Sequence, residues 1–219
     1  HLCMRVFLFT GILLLFHGYS SANTLSVRIF YNREMNTAAF SPNNANYSVE
    51  CENGRILTAD IHTDLVLKCQ GDSIALLHKN KLKAVTAFVV LSPLHPDSAN
   101  SATFELRPDA GTKAKHYPGK LTVTASAGSL CFTNEIDIEY YIPGVIQAEV
   151  GSQNHFEFKK MKAVIIRTYA LSNMSKHADE GFHLCDKVHC QVYNGKSYQH
   201  DILKAVKENL ATAVWFITQ

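Results

Sequence analysis

Near Asp137 the hydrophobic pattern changes its period, and that change decides the fold class. Upstream, eight segments read as strands: Leu25 to Tyr31, Asn46 to Cys51, Ile56 to Ile61, Leu65 to Cys69, Ala84 to Leu91, Ala102 to Leu106, Lys120 to Ala125 and Leu130 to Thr133. Several alternate in polarity, and Ser-Pro-Asn-Asn, Glu-Asn-Gly and Tyr-Pro-Gly supply turn chemistry between them. Downstream the apolar spacing is helical. It predicts a short helix from Ile142 to about Val150 with Pro143 in its first turn, a second from Glu157 to about Met174, and a third from about His200 to Val214. In the second, Phe158, Met161, Ile165, Thr168 and Ser172 keep helical spacing while Val164-Ile165-Ile166 widens the apolar face, so burial on more than one side is expected. Strands followed by helices predict an α+β fold rather than a doubly wound sheet.

The N-terminus reads as an export signal. Arg5 precedes the apolar run Val6 to Phe16, which is too short to cross a bilayer, and Ser20-Ser21-Ala22 offers small residues for cleavage. The three residues before Met4 resemble translated upstream sequence. The expected organisation is therefore upstream residues and signal peptide over 1–22, a β-rich part over 23–134, and a helical segment over 135–219. With 21 basic against 19 acidic residues, the net charge of +2 gives no reason to expect nucleic acid or an anionic membrane as partner. No stable membrane span is expected once the signal is removed, which places the protein in the periplasm, cell wall or extracellular space. In such an oxidising compartment, Cys51 and Cys69 are equally compatible with a disulfide and with buried thiols.

Three groups of residues carry candidate chemistry. Ile142, Val145, Ile146 and Glu149 fall at i, i+3, i+4 and i+7, which puts a carboxyl on an apolar stripe. Desolvation there would favour the protonated acid that general-acid catalysis needs. The plainer alternative is a boundary glutamate that pairs with a lysine. On the next helix, Lys160 and Arg167 lie two turns apart, roughly 10 Å along one face, and could flank Glu149 or simply form a solvated basic face with Lys159 and Lys162. Finally, His177, His183, Cys185, His189 and Cys190 fall within fourteen residues. Two thiolates and two imidazoles would make a closed, structural zinc site; a Cys185–Cys190 disulfide with bystander histidines is the alternative.

The run Tyr141-Ile-Pro-Gly-Val-Ile-Gln-Ala-Glu149 resembles the Tyr-Leu-x-Gly-Val-Val-x-x-Glu signature of the stage II sporulation protein D family. Lys160-Met-Lys-Ala-Val-Ile-Ile-Arg167-Thr-Tyr-Ala-Leu171 is similar to the family's Lys-Ala-Gln-Ala-Val-Ala-Ala-Arg-Thr-Tyr-Ala, at the family's own separation. His189-Cys190-Gln191-Val192-Tyr193 matches its His-Cys-Gln-Val-Tyr segment. The resemblance implies a peptidoglycan lytic transglycosylase acting on glycan strands stripped of stem peptides. Residue by residue, it implies Glu149 as the catalytic acid/base, Lys160 and Arg167 as basic cleft residues, and Cys185, His189 and Cys190 as zinc ligands. His177 is the best match to the fourth ligand, with His183 close enough to compete. This chain departs from the pattern with Val150 for Met, Lys162 for Gln and Ile165-Ile166 for Ala-Ala. The family's later Ser-x-x-Cys-Gly-Gly-x-Thr run is absent, so residues 135–219 are expected to be the N-terminal portion of the catalytic domain. A non-catalytic wall-binding or amidase-enhancing module, partnered by a cell-wall amidase, is the competing expectation. A zinc amidase is disfavoured because a thiolate-rich closed site leaves no open position.

Overall fold

Alternation of buried and exposed residues along the strands sets two sheets face to face. β1 (Thr24–Ile29), β2 (Thr37–Pro42) and β12 (Ser129–Asp137) each bury every second residue. The computed structural model describes residues 24–95, 101–109, 112–151 and 154–217, the last eight as backbone only. The expected signal peptide and its cleavage site lie outside the described residues.

The other strands are β3 (Tyr47–Cys51), β4 (Gly54–Ala59), β5 (Leu65–Gln70), β6 (Ser73–His78), β7 (Lys81–Thr86), β8 (Phe88–Pro93), β9 (Thr103–Pro108), β10 (Lys115–Pro118), β11 (Lys120–Ser126) and β13 (Leu184–Cys185). One sheet has the order β13-β1-β12-β11-β8-β3-β4, the other β10-β9-β2-β5-β6-β7. Among the described residues all pairings are antiparallel except β1 with β13. Between the sheets, the Phe40 and Phe104 rings of one meet Tyr47 of the other at 5.4 and 6.0 Å between centroids, at steep edge-on angles.

The architecture is α+β as expected, with more strands than the sequence pattern suggested. β2, β6, β10 and the two-residue β13 were not foreseen, and the segment Ala84 to Leu91 divides between β7 and β8. Cys51 and Cys69, for which a disulfide and free thiols were both open, are free thiols in different sheets.

Three helices cover one end of the first sheet. α1 (Ile138–Glu149) starts four residues before the expected point, directly out of β12, because the Asp137 carboxylate accepts the Glu139 N–H at 2.8 Å. Pro143 is therefore interior rather than in the first turn, and the Glu139 carbonyl loses its helical donor. Ile142, Val145 and Ile146 are fully buried, each contributing at most about 1.5–3 kcal/mol. A Cβ on Gly144 would stand 2.2 Å from the Gly195 carbonyl oxygen and 2.7 Å from the Tyr193 ring, so only glycine admits this approach.

α2 (Phe156–Ser172) and α3 (His200–Ile217) pack against α1 and each other. The buried face of α2 is Lys159, Ala163, Ile166, Arg167 and Ala170, while Phe158, Met161, Val164 and Ile165 are exposed. That reverses the expected orientation. Alanines let the helices approach closely, and each buried cation has a matched anion: Lys159 meets Asp201 of α3, and Arg167 meets Glu139 of α1.

Candidate functional site

The Cys/His loop follows α2 and is fastened to β1 along its length. The His183 N–H donates to the Ser26 carbonyl at 2.9 Å, and the Ser26 N–H donates back to His183 Nδ1 at 3.1 Å. Asp186, buried, accepts the Phe30 and Tyr31 N–H groups at 2.7 and 3.1 Å where the chain leaves β1. These bonds satisfy backbone donors that would otherwise be orphaned at the end of a strand. They also engage His183 Nδ1, and the group that converges nearby contains His177 rather than His183.

His177, Cys185, His189 and Cys190 converge, their ligand atoms all within 4.8 Å of one another. Cys190 Sγ lies 3.4 Å from His177 Nε2 and 3.8 Å from His189 Nδ1, and Cys185 Sγ lies 3.9 Å from His189 Nδ1. Sulfur and nitrogen on adjacent corners of a tetrahedron around zinc would be about 3.6 Å apart, from bond lengths of about 2.3 and 2.05 Å. The spacing fits. Both cysteines are free, so no disulfide consumes the sulfurs, and His189 is the exposed member of the group.

Glu180, in the 3-10 turn Ala178–Glu180, takes the other nitrogen of His177, with Nδ1 2.6 Å from its carboxylate. That hydrogen bond holds the Glu180 carboxyl below its usual range. As a carboxylate Glu180 can only accept, so Nδ1 carries the proton and Nε2 presents its lone pair to the cluster. Tyr31 donates its hydroxyl to the same carboxylate at 3.2 Å, and Phe182 stacks on the imidazole at 4.6 Å. Burial pushes the Cys185 thiol up to about 11, so holding it as a thiolate calls for a nearby cation. The donor set fits zinc, and four such ligands would fill its tetrahedral coordination. Sequence reasoning missed Glu180 and Asp186 as supports, although each is an acid set among the ligands themselves.

From the loop, Gln191 reaches both helices. It accepts the Tyr141 hydroxyl of α1 at 3.2 Å and donates to the Ile166 carbonyl of α2 at 3.5 Å. The Gln of the His-Cys-Gln-Val-Tyr run thereby ties the cluster to the helix that carries Glu149.

Glu149 is not buried on its stripe. Tyr141 to Ile146 of α1 are buried, but the last three residues emerge, leaving the Glu149 side chain 26% exposed. It pairs with Lys162 of α2, Nζ to Oε2 at 3.1 Å. The expected desolvation is thus corrected to an ion pair at the boundary. The last turn of α1 has no basic residue of its own, so Lys162 supplies the positive charge that a carboxylate at a helix C-terminus lacks. Being partly exposed, the pair is worth about 1 kcal/mol or less.

Lys160 and Arg167 do not flank Glu149 as a pair of open cations. Lys160 meets Glu157 and Glu208 at 3.4 and 3.7 Å. Arg167 is 5% exposed and bidentate to Glu139, with both bonds at 2.7 Å. A cavity of about 410 Å³ is lined by Ser26, Met174, Ala178, Phe182 and His183 rather than by Glu149 or Lys162.

Residues 126–215 match the family model described as SpoIID, stage II sporulation protein. An uncharacterized protein of Brachyspira hyodysenteriae (strain ATCC 49526 / WA1) is 35% identical over 81 residues, covering 36% of this chain and 22% of that protein. The chain thus spans about a fifth of the length of this relative. No solved structure matches. The family match supports a cell-wall or sporulation role for the segment, and no helix among the described residues is long and apolar enough to cross a membrane.

Proposed function

On the premise that residues 126–215 form a segment of the SpoIID family, we propose that this protein is a lytic transglycosylase of peptidoglycan acting on denuded glycan strands. The observation that carries the proposal is the position of Glu149, at the accessible end of a helix whose middle is buried and within the family segment. Protonated Glu149 donates to the oxygen that links muramic acid to the next sugar, and the C1–O bond breaks. The resulting carboxylate takes the proton of the muramic 6-hydroxyl as O6 bonds to C1. Glu149 ends protonated, no water is consumed, and the product carries a 1,6-anhydro end. One carboxyl serves both transfers, whereas glycoside hydrolases use two.

The remaining side chains orient this centre. Lys160 meets the strand only by exchanging its Glu157 and Glu208 partners, and Arg167 fixes α1 against α2 through Glu139. His177, Cys185, His189 and Cys190 would hold zinc, which when bound cross-links the loop. Gln191 then passes that rigidity to Tyr141 and Ile166. Mass spectrometry of products from denuded strands tests the reaction. Anhydro-muramic ends are expected, and reducing-end muramic acid would instead mean hydrolysis through a second carboxylate.

The Glu149–Lys162 ion pair also suits a second reading, a wall-binding or amidase-enhancing module in which Glu149 never donates a proton. Strand binding without any cleaved product would select it. Either role needs an exported protein. Cleavage after Ala22 should give a mature N-terminus at Asn23, and a cell-associated protein still starting at Met4 would refute export.

A further inference from the structure

Lys162 is the one cation of α2 that meets Glu149, and it stands where the family pattern has glutamine. Its basic neighbours are engaged elsewhere: Lys159 with Asp201, Lys160 with Glu157 and Glu208, Arg167 with Glu139. Resting on the transglycosylase reading, we propose that Lys162 is a specificity residue that binds the free lactyl carboxylate of muramic acid and thereby distinguishes denuded strands from peptide-bearing ones.

Glu149 must reach the oxygen on C1 of a muramic ring. The lactyl ether stands on C3 of the same ring, so a cation within hydrogen-bond reach of Glu149 is close to that substituent. In a denuded strand the lactyl group ends in a carboxylate; in a peptide-bearing strand it ends in an uncharged amide. Lysine suits the task because its charge is compact and its four-carbon stem can swing between two acceptors. The side chains of Lys162 and Glu149 are 22% and 26% exposed, so exchanging one carboxylate partner for another costs little. Engagement by substrate would also release Glu149 from its ion pair, which leaves the carboxyl free to take a proton and donate it. Glutamine, the residue of the family pattern, could hydrogen-bond either form of the lactyl group, so discrimination by charge at this position is particular to a chain that carries lysine here.

The test is equilibrium binding in zinc-loaded full-length protein carrying Glu149→Gln, so that strands are not turned over. Fluorescent denuded strands are compared with the same strands after conversion of their lactyl carboxylates to methylamides. Free-carboxylate strands should bind about fivefold tighter at low salt, the scale of a partly exposed ion pair. Adding Lys162→Gln should bring that ratio to about one, while Lys162→Arg keeps most of it. Circular dichroism and zinc content confirm that the variants are folded. A preference that survives Lys162→Gln, or strands bound equally with Lys162 intact, overturns the inference and leaves the transglycosylase reading standing. Failure to bind either strand overturns both.

Discussion

Arg167→Ala separates a structural role for this guanidinium from a ligand-binding one. The Arg167 side chain is 6% exposed, and two of its nitrogens bond both oxygens of Glu139 at 2.7 Å. Removing one member of a buried pair costs about 3–5 kcal/mol, most of it from the abandoned partner. The Glu139 side chain is 25% exposed and can recover some hydration, which lowers the expected loss to about 2–3 kcal/mol. For a chain of this length that corresponds to a fall in melting temperature of about 5–10 °C. Arg167→Lys keeps the charge but forfeits the two-pronged geometry and should recover about half. Thermal and urea unfolding, with Glu139→Gln and the double variant completing a cycle, provide the measurement. A midpoint shift under about 1 °C accompanied by loss of strand binding would refute the reasoning. It would mean that the guanidinium faces a ligand rather than Glu139.

The metal cluster makes two further predictions. Protein purified without added metal should contain about one zinc by elemental analysis, kept by His183→Ala and lost by His177→Ala; the reverse pattern would overturn the ligand assignment. Glu180→Gln should weaken zinc by roughly 10–100-fold in chelator competition, because His177 loses the acceptor that fixes its tautomer, and unchanged affinity would show that the bond to Nδ1 is dispensable. In the body of α1, Gly144→Ala should destabilise the fold by at least about 1–3 kcal/mol in urea unfolding, since the new methyl meets the Gly195 carbonyl. A cost under about 0.5 kcal/mol would show that the loop yields freely.

The sequence shows the site more plainly than the fold around it. The four-residue Cys/His set was visible because zinc requires particular atoms, and few other arrangements place them so densely. What spacing could not separate was His177 from His183, because the bond that draws His183 to β1 comes from Ser26, more than 150 residues away. The hairpins β6–β7 and β11–β12 turn on Lys79-Asn80 and Ala127-Gly128, all four residues at positive φ, and Lys79 and Ala127 do not announce such a turn. That is one reason β6 went unseen. The orientation of α2 was misread because hydrophobicity normally marks the buried face, whereas here alanines and paired cations occupy it. The burial of Glu149 was misread for a related reason. Helical spacing aligns a residue with a stripe but does not say where the packing ends, and in α1 the burial stops at Ile146, three residues before Glu149. The partner Lys162 follows from the way α1 and α2 lie together, which no local pattern encodes.

The most direct test of the account is the turnover of denuded glycan strands by Glu149→Gln in the zinc-loaded protein. The substitution preserves shape and removes both proton transfers, while Lys160 and the Arg167–Glu139 pair remain in place. Formation of anhydro-muramic ends should fall by at least about a hundredfold, the usual scale of a general acid/base, with strand binding retained. Anhydro ends formed at an undiminished rate would contradict the assignment of Glu149 as the group that moves the proton.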